Sequence, residues 1–239
     1  MITDFKAFGP EHIFGLVIPL ILGIALIIIG LKLKTEKARK NLRWVIAFLL
    51  IAIRSSRYVM DVFVGRFDLY DVLSIHVCHI DLILLIICFF KPNKFIFNLN
   101  FLIGIPIGLA VALMPGSNHY TPGIARAIMF IMSHTMLAVA PIYLATVERM
   151  QLRLKYLIYI IISGVIFVPV AYVVNLILDT NFLYLMGPPE NSAIEGLNNI
   201  FGYPGYIFVM VGIAILLIIL IYCINKAAEK ICRHKFNHL

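Results

Sequence analysis

The chain carries polar side chains inside stretches that are otherwise apolar. Arg54, Arg57 and Asp61 share one stretch, His76, Cys78, His79 and Asp81 the next, and Arg126, Ser133 and His134 a later one. A cysteine beside histidines is the raw material of nucleophilic catalysis, because an imidazole can take the thiol proton while sulfur attacks a carbonyl. A buried cysteine also serves as a small hydrophobe, so both readings stand. His134 reads as the general base for Cys78, or as a structural histidine bonded to a neighbouring helix. A third option joins it to His76 and His79 as a zinc site. No HExxH or paired CxxC accompanies these histidines, and neither a metal nor another cofactor is expected.

Arg54, Arg57 and Asp61 follow i, i+3, i+7, so a helix presents all three on one face. Two arginines exceed what one aspartate neutralises, which suits a ligand phosphate. The same trio also suits an ion pair between helices, with Arg126 either joining it or snorkelling to the surface. His76 and His79 fall on one side of a continuous helix, with Ser74, Cys78 and Asp81 on another. Such a helix belongs in the centre of a bundle. Asp81 is expected to contact substrate, and farther on Asn175 and Asn181 offer amides to a carbonyl oxygen or headgroup.

The elements that hold these residues follow from composition. Of 239 residues, 62% are hydrophobic and 13% charged, with mean hydropathy +0.99. Water-soluble domains are roughly half apolar and about a quarter charged, and disordered chains are more polar still. The chain reads as an all-α polytopic membrane bundle of about seven transmembrane helices. The expected spans lie near 11–31, 44–65, 72–90, 95–114, 124–147, 156–178 and 205–224, forming one integral membrane domain over 1–239. The fourth is the weakest, since it holds Asn98, Asn100 and Pro106. A loop near 179–204 contains Gly187-Pro188-Pro189 and no basic residue, and reads as a partly ordered lid.

Basic residues sort to one side: six in 32–43, two in 91–94, three in 148–155 and four in the tail 225–239. Lys6 and Arg66 alone fall on the other side. The positive-inside rule then puts the N-terminus outside and the C-terminus in the cytoplasm. The net charge of +8 is thereby topology, and nucleic acid is not an expected partner. On this frame, at about 1.5 Å per residue, Cys78, Asp81 and His134 lie about 9, 13 and 15 Å below the outer face. Asp61, Arg57 and Arg54 lie about 6, 12 and 16 Å below it. Three helices thus bring intramembrane polar groups to the same outer level, where such groups usually mark function.

At these residues the sequence resembles a known family. His76-x-Cys78, Ser133-His134 and Thr180-Asn-Phe-x-Tyr-Leu185 match the YwaF-like bacterial integral membrane proteins, and Pro188, Ser192 and Gly202-Tyr203-Pro204 echo a later motif. The likeness spans roughly 45–210. That group is allied to the transmembrane protein 164 family, described as lipid acyltransferases that use a membrane cysteine. The resemblance implies Cys78 as acyl-accepting nucleophile and His134 as base, with His76 or His79 in support. Two positions depart from the bacterial pattern: His79 stands where an acidic residue often follows the cysteine, and Gly187 where a basic residue often precedes the proline.

The expected function is therefore a plasma-membrane acyltransferase or transacylase acting at the outer leaflet, with phospholipid as its partner. Its phosphate would be held by Arg54, Arg57 and Arg126. The rivals are a zinc-dependent lipid hydrolase and a non-enzymatic transporter or lipid-binding protein. Oligomeric state is not legible. The topology is testable in a background without native cysteines. A cysteine placed at Lys37 should be shielded from impermeant maleimide in intact cells, and one at Glu190 labelled; the opposite pattern inverts the orientation.

Overall fold

The computed structural model describes residues 6–63, 65, 67, 69–72, 74–114, 124–190 and 192–236. Side chains of 70, 71 and 231–236, and the sequence positions Arg66 and Asn191, lie outside that description. The described secondary structure is entirely helical. Helices α1 (Pro10–Lys32), α2 (Glu36–Phe63), α3 (Leu69–Val72), α4 (Val77–Phe90) and α5 (Lys94–Leu99) come first. A π-helical turn, Asn100–Gly104, leads into α6 (Ile105–Leu113), followed by α7 (Ile124–Thr146) and α8 (Leu154–Leu178). After a 3-10 turn at Phe182–Tyr184 come α9 (Ala193–Phe201) and α10 (Gly205–Phe236). Five segments are long and apolar enough to cross a bilayer: Pro10–Lys32, Lys94–Leu113, Ile124–Thr146, Leu154–Leu178 and Gly205–Lys230. The protein is a polytopic helical membrane protein. Its packing divides into two compact units, residues 1–150 and 151–239.

In the first unit α7 is the central helix, with buried residues on all its sides between Phe130 and Leu144. It packs against α1, α2, α4, α6 and the π turn. Lipid tails give helices little hydrophobic reason to associate, so close backbone approach through small residues matters more. The chain provides it with Gly15, Gly23 and Gly30, seven or eight residues apart on α1. A Cβ at these positions would run into Ile131, Val139, and Tyr143 with Val147, respectively. On another side of α7, Gly108 of α6 lies against the carbonyl of His134, where a Cβ would sit 2.6 Å from that oxygen.

The third apolar stretch departs from the expected continuous helix over 72–90. Ser74 to His76 are non-helical, and α4 begins only at Val77. The reason is local: Ser74 Oγ accepts the His76 N–H at 3.3 Å, a bond that competes with the helical ladder. His76 is then the N-cap in extended geometry (φ −56°, ψ 138°), and its carbonyl receives the N–H groups of His79 and Ile80. His76 and His79 therefore do not share a helical face. With 14 residues, α4 is about 21 Å long, less than the roughly 30 Å hydrocarbon layer. The irregular backbone of Ser74–His76 just before it is of a kind that membrane proteins tolerate only where protein or a cavity shelters it.

The fourth stretch crosses with a π turn rather than a plain helix. Pro106 has no N–H to return to the residue four before it, and the ladder resettles in the turn just upstream. In the second unit, Asp179 in left-handed geometry (φ 51°) ends α8 and returns its N–H to Asn175 O. Part of the expected lid is ordered: the 3-10 turn is followed by α9, whose N-cap Ser192 accepts the Glu195 N–H at 3.1 Å. Most apolar side chains of α8 and α10 are exposed, as lipid-facing residues are.

Leucine at position 23 should overpack the α1–α7 contact, at a cost of about 1–3 kcal/mol. Leucine at Gly164, which has open space around it, should stay within about 0.5 kcal/mol. Thermal unfolding of the two purified variants checks the contrast.

Candidate active site

On α2 the buried stripe runs Ile46, Leu50, Ile53, Arg57, Asp61, so one face is apolar toward its N-terminal end and ionic toward its C-terminal end. Asp61, only 2% exposed, takes Arg126 Nε of α7 at 2.5 Å on Oδ1 and Arg126 Nη2 at 3.4 Å on Oδ2. Arg57 Nε stands 3.8 Å from Oδ2. Arg57 also lies over the Phe130 ring (5.6 Å), and Arg54 over the Tyr58 ring (5.1 Å). Asp61 and Arg126 thus tie α2 to α7, as one sequence reading expects. Arg57 and Arg126 share the Asp61 carboxylate, with Arg54 one turn before Arg57 on α2.

Cys78 is the second residue of α4, just inside the break, and is half-buried. It lies within electrostatic reach of Arg54 and Asp81 and beside the His79 backbone N–H. His79 is buried, and four groups act on it: Arg54 and Arg57 from α2, His76 from the break, and His134 from α7. Its ring is 6.1 Å from that of His76, edge to face. His79 is therefore the point where the three helices converge. Its Nδ1 is buried with no hydrogen bond among the described residues.

His134 is buried and held in place. Its Nδ1 lies 2.8 Å from the Phe130 carbonyl, with Ser133 Oγ at 3.4 Å, and its ring packs on Phe130 at 4.3 Å. A carbonyl only accepts, so Nδ1 carries the proton and the neutral ring keeps its lone pair on Nε2. That is the arrangement a base requires. No hydrogen bond joins Cys78 Sγ to an imidazole among the described residues. Nor is there among them a cluster of three or more His, Cys, Asp or Glu side chains fit to hold a metal ion. His76, His79 and His134 do not form the zinc set that one rival reading needs.

Three expected substrate contacts have other work in the structure. Asp81 is buried against the π turn and receives Asn100 Nδ2 on both its backbone O (2.8 Å) and its Oδ1 (2.5 Å). A Cβ at Gly104 would collide with its Oδ2. In the second unit, Asn175 Nδ2 donates to Phe182 O at 2.9 Å, while its Oδ1 accepts Phe182 N and Thr180 Oγ1. Asn181 donates to Gly187 O and accepts Met186 N–H. Both amides are spent on shaping the loop, because its backbone turns there without a helical or sheet ladder to satisfy it.

The sequence reading missed Asn100 and Gly104 as partners of Asp81, and His12, which is fully buried with Nε2 at 2.6 Å from Ala112 O. The signal was present: an Asn, an Asp and a His inside apolar stretches must each find a partner. Which partner cannot be read from spacing.

A broken membrane helix that gathers cysteine, histidine and arginine at its start defines a polytopic membrane protein with a sheltered polar site. A family model described as the TMEM164 family matches residues 7–222, and the chain belongs to that family. No curated protein and no solved structure matches it.

Replacing Asp61 by Leu should leave buried arginines uncompensated and cost about 3–5 kcal/mol. The pair Asp61→Leu with Arg126→Leu should recover part of that loss. A double-mutant cycle of thermal unfolding in detergent measures it.

Proposed function

We propose that the protein is a lipid acyltransferase or transacylase with Cys78 as nucleophile, working at the outer leaflet of the plasma membrane. The observation that carries this reading is the interruption at Ser74–His76. It sets a half-buried cysteine in the first turn of α4, beside two histidines and within electrostatic reach of Arg54. An unwound segment among apolar helices is costly unless protein buries it or it lines a cavity, and a reaction site provides such a cavity. Membership of the TMEM164 family agrees with the reading.

In the first half-reaction a phospholipid ester enters sideways from the bilayer. Arg54, Arg57 and Arg126 hold its phosphate, with Asp61 keeping the latter two in position. The Cys78 thiol passes its proton to imidazole as sulfur bonds to the ester carbon. The carbon–oxygen bond then breaks, and the lysolipid oxygen leaves with that proton. In the second half, the hydroxyl or amine of an acceptor gives its proton to the imidazole and attacks the thioester. Sulfur departs and recovers its proton. His134 is the base, with the lone pair of Nε2 set by the Phe130 carbonyl, and His79 and His76 are in support. Asp81, Asn175 and Asn181 position backbone instead of touching substrate.

Incubation of purified protein with mixed phospholipids, read by mass, should reveal an acyl adduct released by hydroxylamine. Cys78→Ala and Cys78→Ser should both abolish it, and an adduct that persists in the Ala variant refutes the assignment. His134→Ala should slow adduct formation by about 10²- to 10⁴-fold, the usual contribution of a general base.

A further inference from the structure

At the basic end of the first unit, where α1 and α7 finish and α2 begins, lies a cavity of about 340 Å³. Arg39, Thr146, Glu148 and Arg149 line it, with Gly30 forming part of the wall. Arg43 reaches Glu148 with Nη1 at 2.5 Å from Oε2, both side chains largely buried. Arg39 donates to Leu33 O at 3.3 Å. Three guanidiniums therefore surround one carboxylate here. Tyr143, 2% exposed, lays its ring edge on Gly30 and lies within electrostatic reach of Arg39, Arg43 and Glu148. Its hydroxyl, Arg43 Nε and Glu148 Oε1 are all buried with no hydrogen bond among the described residues.

Such atoms are costly in the interior unless a ligand or water completes them. Two of the three are donors, in a region with a positive excess, so the missing partner carries acceptors and negative charge. The third, a carboxylate oxygen, would repel a bare anion but accept a hydroxyl. We propose that this cavity binds a phosphate with a neighbouring hydroxyl, such as the headgroup of a polyol phospholipid or a free polyol phosphate. Arg39 and Arg149 of the lining take the phosphate, and Glu148 Oε1 takes the hydroxyl. Basic pockets between helix ends on the cytoplasmic side are suited to lipid headgroups. The site lies at the C-terminal end of α7, three turns beyond the mid-helix His134, and does not depend on the chemistry of Cys78.

The test uses the full chain in detergent, titrated with dioleoyl phosphatidylglycerol or dioleoyl phosphatidylcholine and followed by native mass spectrometry. The expected result is one phosphatidylglycerol per chain, retained about tenfold or more over phosphatidylcholine. The pair Arg39→Gln with Arg149→Gln should lower retention by about tenfold or more. Competition by glycerol 1-phosphate identifies a free polyol phosphate as the occupant, and retention despite it identifies the lipid. Equal retention of the two lipids by the unaltered protein, or binding unchanged when Arg39 and Arg149 are both replaced, overturns the proposal.

Discussion

Everything distinctive in this structure follows from the demand that polar groups inside hydrocarbon be satisfied by protein. Asp61 meets Arg126 and Arg57; Asp81 meets Asn100; His134 meets a carbonyl of its own helix; His12 meets the end of α6. Each pairing joins elements or fixes a ring, so the groups that are costly in lipid are also the ones that set the arrangement of the first unit. The same demand explains why α4 can start late. The residues before it are tolerable only because α2 and α7 bring their own polar side chains to the place where the backbone is open.

The central helix links these polar ties to the apolar packing. Glycines on α1 and α6 let α7 be approached closely from two sides, and one of those contacts bears directly on the His134 backbone. The position of the imidazole is therefore a consequence of helix packing as much as of its own hydrogen bond. At the other end of α7 a positive excess, around Arg39, Arg43 and Arg149, faces the basic side of the membrane. Cationic side chains thus gather near both ends of one helix, Arg57 and Arg126 at one and Arg39, Arg43 and Arg149 at the other.

Much of this was legible in residue order, and the parts that were not have identifiable causes. The helical membrane class followed from length and composition, since no other fold accommodates such a fraction of apolar residues in long runs. The face shared by Arg54, Arg57 and Asp61 followed from helical spacing, and Arg57 and Asp61 do lie on the buried stripe of α2. The face assigned to His76 and His79 failed because it presumed helix through Ser74–His76, where a serine hydroxyl outcompetes the ladder for one N–H. Asp81, Asn175 and Asn181 were read as ligand contacts because they are polar residues in apolar settings. Their partners prove to be an amide and loop backbone that lie near in space, which periodicity along one segment does not reveal.

By itself the chain determined its solvent, its helical character and which residues lipid would not accept, because these depend on local composition and on a fixed rise and turn per residue. Only the tertiary structure decided which helices share a charge, where α4 opens, and that His79 is the group on which α2, the break and α7 all act. Those outcomes rest on distances between segments far apart in the chain. They are set by how closely helices can approach and by which buried group finds a partner first.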